Sequence, residues 1–333
     1  MRLGGAVGGT SKAAGHVMEV ADSGRKQAKG RGKNRNALAT PDGDALAIAR
    51  LDLEVELRLA IETGQLEVHY QPVVAADTGS LHGLEALVRW RHPTLGLLSP
   101  AHFMDVAEDT GLVLPLGEWV LEQACIAAVQ WQRRYPLAPV TMAVNLSARQ
   151  FQQPDLCDRV ARVLRCTGLA PHLLTLEITE TAIMEETEAT LRTLRNLKRL
   201  KVRLAIDDFG TGYSSLSYLK RFPVDAVKID KSFVDGLACG PVDVEIVRAV
   251  IRLAGAVGMQ TVAEGVETEE QRQQLRELGC TMLQGYLISR PIPLAGAAGR
   301  RPPAQGGPGD PRRGRGRGHG SVGAGGDGRG PRG

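Results

Sequence analysis

Aromatic residues are scarce: they make up 4% of the 333 residues, against 43% hydrophobic residues in all. The core must therefore be aliphatic. Long apolar runs are missing too. No stretch of about 18 residues is apolar throughout, so neither a membrane span nor a membrane partner is expected. The glycine-rich start has no apolar stretch followed by a cleavage site, so no secretory leader is expected. Cysteines are five (Cys125, Cys157, Cys166, Cys239 and Cys280), scattered and without a CxxC pair. They read as buried free thiols in a reducing, cytoplasmic setting. His69, His82 and His92 have no metal-ligand spacing with a Cys or a second His. No convincing Ser–His–Asp arrangement is present either.

Charge is present but unevenly spread. Residues 1–36 and residues 300–333 each hold eight Lys/Arg against two acids, so each end carries +6. The whole chain carries only +4, which leaves −8 on the middle. An acidic body is a poor nucleic-acid surface but a reasonable home for carboxylates that hold cations. From about Leu294 onward the chain is Gly, Pro, Arg and Ala without periodicity, the composition of a disordered tail. Residues 1–41 form a similar basic low-complexity segment. The Arg-Gly repeats at 312–318 have no aromatic residues between them, so weak phosphate contact is conceivable but no specific nucleic-acid site is expected. The globular part is expected over residues 42–293.

Within it, strand-like and helix-like segments alternate. Strands are expected at Leu66–Val74, Leu81–Trp90, Thr141–Leu146, Leu173–Thr179, Val202–Asp207, Ala226–Ile229, Gln260–Ala263 and Thr281–Leu287. Helical spacing marks Asp44–Thr63, Pro115–Arg134, Pro154–Thr167, Glu185–Leu200, Ser214–Lys220, Val242–Val257 and Thr268–Leu278. Eight strands with helices between them predict an α/β fold, a (β/α)8 TIM-like barrel. A doubly wound open sheet is the alternative, but it needs a Gly-rich phosphate turn after the first strand, and none is there. The short connection at Asp77–Gly79 predicts a hairpin, hence one antiparallel strand near the start.

Polar residues punctuate these apolar strands. Glu85, Asn145, Glu177, Asp207 and Asp208, Lys228 and Asp230, Glu264 and Gln284 fall at or near successive strand ends. One acid at a strand end is commonly a cap. Asp207-Asp208 alone could be an N-cap and turn, and Lys228 with Asp230 a structural ion pair. Seven such cases on successive strands are another matter, because in a barrel these ends converge on one face. Clustered carboxylates repel one another unless cations lie between them. Oxygen ligands of this kind suit Mg²⁺ or Mn²⁺ better than zinc.

The ordered segments Glu-Ala-Leu-Val-Arg-Trp (85–90), Asn-Leu-Ser (145–147), Glu-Ile-Thr-Glu (177–180), Asp-Asp-Phe-Gly-Thr-Gly-Tyr-Ser-Ser (207–215), Lys-Ile-Asp (228–230), Ala-Glu-Gly-Val-Glu (263–267) and Gln-Gly-Tyr (284–286) carry a resemblance. Over about residues 46–293 the chain resembles the EAL-domain cyclic di-GMP phosphodiesterases. Each motif alone is weak; the ordered set is specific. The resemblance implies metal-dependent hydrolysis of cyclic di-GMP to linear pGpG in bacterial signalling, with two Mg²⁺ or Mn²⁺ ions per active site. It implies Glu85, Asn145, Glu177 and Asp207 around one metal and Asp207, Asp208 and Glu264 around the other. Lys228 matches the residue that orients or activates the attacking water. Glu267 and Gln284 match supporting positions, and Glu180 the glutamate that holds the loop 208–215. Gln71, Arg89 and Asp230 belong with the substrate-contacting set. Homodimerisation across a barrel face is a further family expectation. The alternative function is a non-catalytic cyclic di-GMP receptor, though such receptors usually lose metal ligands or the lysine.

Two departures from the family stand out. Asp105 replaces a common Pro on a peripheral helix. After Ser-Arg-Pro-Ile-Pro (289–293) the expected closing amphipathic helix is replaced by Gly/Arg/Pro-rich sequence, which threatens stability more than catalysis. Ala21-Asp22, Ala28-Lys29 and Gly32-Lys33-Asn34-Arg35 resemble the tail of a GGDEF domain whose catalytic part is absent.

Overall fold

The computed structural model describes residues 41–183, 188–210, 221–237 and 240–297. The expected helix Ser214–Lys220, the GGDEF-like residues 21–35, Cys239 and the Arg/Gly-rich segment from 298 lie outside the described residues.

The eight expected strands are all present. They are β1 (Leu66–Ala75), β2 (Leu81–His92), β4 (Thr141–Leu146), β5 (Leu174–Thr179), β6 (Arg203–Phe209), β7 (Ala226–Ile229), β8 (Gln260–Ala263) and β9 (Met282–Leu283). A short β3 (Gly96–Leu98) adds to the outer edge of β2 and was not expected. The sheet runs β1-β9-β8-β7-β6-β5-β4-β2-β3, and the β1–β2 pairing closes it into a barrel of eight strands. β1 is antiparallel to both neighbours. The pairings from β2 through β4 to β9 are parallel. The antiparallel start follows from the tight turn at 76–79, where Gly79 takes φ 66° and donates its N–H to Ala75 O at 2.8 Å.

Period-two alternation explains why these strands build a barrel wall. In β5, Leu174, Leu176 and Ile178 are buried, and Glu177 between them turns to the axis. The helices outside cover the apolar side: Leu191, Leu194 and Leu197 of the helix Glu188–Arg199 are buried, as are Val160, Val163 and Leu164 of Leu156–Thr167. Helix ends follow local chemistry. Thr268 and Gln271 form a capping box at the start of Glu269–Leu278, and Gly279 ends it at φ 88°.

Most element ends fall within three residues of expectation; the C-terminal part differs more. The last strand stops at Leu283 instead of Leu287, because Gln284–Ser289 turns over Val266: Val266 N–H donates to Gln284 O at 3.0 Å and Leu287 N–H to Val266 O at 3.0 Å. A Cβ on Gly285 would fall inside the Val266 backbone, so only glycine permits this approach. Beyond it, Ile292 pairs with Tyr70 in both directions (2.7 and 3.0 Å), and Leu294–Ala297 forms one helical turn where the composition suggested none. The chain is thereby tied back to β1, and no long closing helix follows among the described residues.

Candidate active site

The carboxyl ends of the strands form one rim, and the register of the sheet sets its chemistry. Gln71 on β1 lies opposite Glu85 on β2, Asn145 on β4 beside Glu177 on β5, and Thr179 beside Asp207 on β6. Lys228 on β7 is 2% exposed and rises among four carboxylates. Its Nζ lies 2.6 Å from Glu177 Oε2, 2.6 Å from Glu264 Oε1, 3.1 Å from Asp207 Oδ1 and 3.7 Å from Glu85 Oε2.

Two opposing effects act on this ammonium. Burial alone pulls its pKa down, but Asp207, Glu177, Glu264 and Glu85 together hold it well above its ordinary value. Lys228 therefore stays charged. One ammonium does not balance four acids. Burial pushes the Glu177 carboxyl well up, with Lys228 opposing and Glu85 and Asp207 adding to the rise. Burial likewise lifts Glu264 to about 8. Asp208 is raised by burial and by Asp207 beside it. The rim thus gathers more carboxyl groups than one ammonium can balance, and in the absence of a cation they keep protons to higher pH.

The remaining expected residues fall as follows. Asn145 Nδ2 donates to Glu85 Oε1 at 2.7 Å. Gln284 Nε2 donates to Gln71 Oε1 at 3.1 Å and also to Glu85, while Gln71 Nε2 donates to Ser289 O at 3.0 Å. Gln284 Oε1 is buried with no partner among the described residues, an acceptor left for a bound group. Carboxylate oxygens of Asp207, Asp208 and Glu264 all lie within 4.8 Å of one another, spacing that fits a shared cation. Asp208 holds φ 53°, unusual for a non-glycine residue, and its N–H donates to Asp207 Oδ1 at 3.1 Å. Glu180, 2% exposed, accepts from Gly210 N–H at 2.8 Å at the edge of residues 211–220.

A cavity of about 310 Å³ opens above this rim, lined in part by Gln71, Glu85, Asn145, Asp207, Lys228 and Glu264. Glu267 and Gln284 also line it. Glu267 Oε1, however, accepts from Lys231 Nζ at 2.7 Å and does not reach the carboxylate cluster through any contact described. Asp230 caps the helix Lys231–Gly236 by accepting from Ser232 N–H at 3.0 Å, and it is not among the lining residues. Lys228 forms its ion pairs with the four rim acids. Arg89 Nη1 donates to Val88 O at 2.7 Å; burial lowers its pKa, with Tyr286 and Glu85 opposing. Leu87, on the same strand face as Glu85, reaches the cavity.

Sequence reasoning missed Lys231 and Tyr286, which also line the cavity. Lys231 stands on a short helix with no periodic signal. Tyr286 is 50% exposed, with the Arg290 guanidinium 4.3 Å from its ring centroid. Its place in the Gln-Gly-Tyr motif, in a chain so poor in aromatics, was the available signal.

A family model described as the EAL domain matches residues 54–291. The chain belongs to the EAL domain family. This EAL domain is 47% identical over 242 residues to the cyclic di-GMP phosphodiesterase NbdA of Pseudomonas aeruginosa, covering 72% of this chain and 30% of that protein. It is 47% identical over 237 residues to the bifunctional diguanylate cyclase/cyclic di-GMP phosphodiesterase MucR of the same organism, covering 71% of this chain and 34% of that one. Among solved structures, the PaMucR phosphodiesterase in complex with c-di-GMP aligns with a TM-score of 0.72 at 46% identity, over 74% of this chain and 99% of that chain. The EAL domain of Mycobacterium smegmatis DcpA aligns at 0.61 and 39% identity, over 72% and 99%. The chain spans about 30% of the length of curated relatives it matches.

Proposed function

We propose that this EAL domain hydrolyses cyclic di-GMP to linear pGpG and so lowers a bacterial second messenger. The observation that carries the reading is the cage of four carboxylates around Lys228 at the floor of an open cavity. Hydrolysis here means that a water oxygen bonds to phosphorus while the bond to a ribose 3′-oxygen breaks, and that oxygen leaves with a proton.

The donor set fits two divalent cations, Mg²⁺ or Mn²⁺. The surplus carboxylates, the grouping of Asp207, Asp208 and Glu264, and the unpartnered Gln284 Oε1 support this fit. Glu85, Asn145, Glu177 and Asp207 would hold one cation, and Asp207, Asp208 and Glu264 the other. When bound, such cations neutralise phosphodiester oxygens and lower the pKa of a bound water. Lys228, held charged by the rim acids, is assigned to orienting or activating the attacking water. Burial lifts the Glu264 carboxyl to about 8, so holding a cation there would take the place of its proton. Gln284 fixes Glu85 and Gln71 at the cavity, and Glu267, paired with Lys231, also lines it. Gln71, Arg89 and Asp230 are assigned to the substrate, and Glu180 to holding the segment that follows Gly210.

No described helix is long and apolar enough to cross a membrane. A cytoplasmic location, a homodimer, a barrel over residues 42–293 and basic flanking segments complete the proposal. Glu85→Ala tests the metal assignment: turnover should fall at least a hundredfold with the fold intact, and near-wild-type turnover overturns the role. Binding of cyclic di-GMP without cleavage would favour the receptor reading.

A further inference from the structure

Three helices lead directly into parallel strands: Val113–Arg134 into β4, Leu156–Thr167 into β5 and Glu188–Arg199 into β6. Their last turns therefore gather at the strand-start end of the barrel, opposite the candidate active site. Arg133 and Arg134 close the first helix, Arg165 the second, and Arg199 and Lys201 the third, and all five are exposed. Cations at helix C-termini complement the dipole. The dipole does not account for the lack of counter-charge. Residues 133–154, 159–176 and 189–206 contain no acid. Among the described residues, no carboxylate pairs with any of the five. Asp225, at the same end, is already held by Lys198 Nζ at 2.7 Å and by Leu204 N–H at 2.8 Å. Asp77 and Glu277 are exposed elsewhere around this end, so the surplus is confined to the sector of β4, β5 and β6.

The turn between the helix Val113–Arg134 and β4 adds an apolar tip. Leu137 is 99% exposed, the most exposed large apolar residue among those described. The turn that presents it is built. Ala138 N–H donates to Tyr135 O at 3.0 Å, Trp131 Nε1 donates to Ala138 O at 3.1 Å, and the Trp131 and Tyr135 rings lie 4.9 Å apart. Pro136 and Pro139 bracket it and stiffen the backbone. A single exposed leucine is ordinary. This one stands on a fixed turn, three residues beyond Arg134, at the end that carries the unpaired cations.

An apolar tip among unpaired arginines fits an anionic lipid surface. Lys and Arg are drawn to the headgroup charge, and a leucine side chain enters the boundary of headgroups and acyl chains. A polynucleotide would use the cations and leave Leu137 in water. We infer that this end of the barrel docks on an anionic bilayer through Arg133, Arg134, Arg165, Arg199, Lys201 and Leu137, with the active-site cavity facing away from the lipid. The inference revises the expectation of no membrane partner, which rested on the lack of a span. It concerns where the domain sits, and its failure leaves the hydrolase reading standing.

Flotation of the full chain with vesicles of phosphatidylcholine, alone or with about 30% phosphatidylglycerol, tests it. The chain should float with the anionic vesicles only, and less at high salt. A chain that floats with neither overturns the inference. The +6 segments at both ends also favour anionic lipid, so the deciding comparison is among full-length variants. Each cation near such a surface contributes roughly fivefold to partitioning, so joint Arg134→Glu, Arg165→Glu and Arg199→Glu substitution should lower it by about a hundredfold or more. Leu137→Asp should lower it as well. Both variants should keep the parent's melting temperature and any hydrolytic activity, because the changes lie on exposed positions away from the cavity. Variants that bind like the parent assign the binding to the flanking segments and overturn the inference. Leu137→Trp reads the contact directly. Its fluorescence, taken as the difference from the parent chain, should shift to the blue with anionic vesicles and be quenched by brominated acyl chains. Absence of that quenching overturns lipid docking even if charge reversal weakens binding, and makes the face a site for a soluble polyanion or an acidic protein.

Discussion

Lys228 Nζ and Glu264 Oε1 lie 2.6 Å apart at the barrel floor, and each alters what the other can do. The ammonium partly offsets the burial that lifts Glu264, and the carboxylate helps keep the ammonium charged. Removing the lysine leaves four acids facing one another. Breaking a buried pair in this way costs about 3–5 kcal/mol. Lys228→Ala should therefore lower the melting temperature of the metal-free domain, and Mn²⁺ should recover more stability in the variant than in wild type. Hydrolysis should fall at least a hundredfold. Differential scanning calorimetry with and without metal checks the first expectation; unchanged melting in EDTA would refute the cage as a charge-balancing unit.

Proton linkage gives a second test. Glu264 is raised from 4.5 to about 8 in the folded, cation-free domain. A raised carboxyl stabilises the fold below its unfolded pKa, and that contribution is lost as pH rises through about 8. Cations replace the proton and so remove the penalty. The stabilisation by Mn²⁺ over EDTA should thus widen between pH 5 and pH 8.5, with protons released on binding. A gap that is flat or narrows with pH contradicts the assignment.

Glu180 tests whether the segment after Gly210 matters to turnover. Its carboxylate accepts from Gly210 N–H from a buried position. Glu180→Ala leaves that donor unpaired, a loss of about 1–3 kcal/mol. Activity should drop by tenfold or more while Mn²⁺ binding, followed by calorimetry, stays within a few-fold. Equal loss of both would make Glu180 a general stability residue.

Gly285 is a packing test. A methyl group there meets the Val266 backbone, which cannot move without disturbing the turn that carries Gln284 and Tyr286. Gly285→Ala should destabilise by about 1–3 kcal/mol, the usual cost of overpacking. Gly255→Ala, in an open helical position, is the control and should not destabilise. Similar melting for both variants would show that the close approach is not rigid.

The barrel was legible because each strand alternates apolar residues with a polar one at its end. Glu177 between Leu176 and Ile178 is the plainest case. The antiparallel β1 was legible from the turn at 77–79. What escaped the sequence depends on contacts between distant segments. Thr281–Leu287 reads as a strand, yet the Val266 backbone captures the chain after Leu283. Asp230 reads as a substrate-contacting position; that it also caps the helix that brings Lys231 to Glu267 depends on where the next helix starts. The tie between Ile292 and Tyr70 likewise has no local signature.

The most direct test is incubation of the purified chain with cyclic di-GMP and Mn²⁺ or Mg²⁺, with EDTA as control, and separation of the products by chromatography. The account predicts linear pGpG that appears only with metal. A folded chain that binds metal and still yields no linear dinucleotide contradicts it.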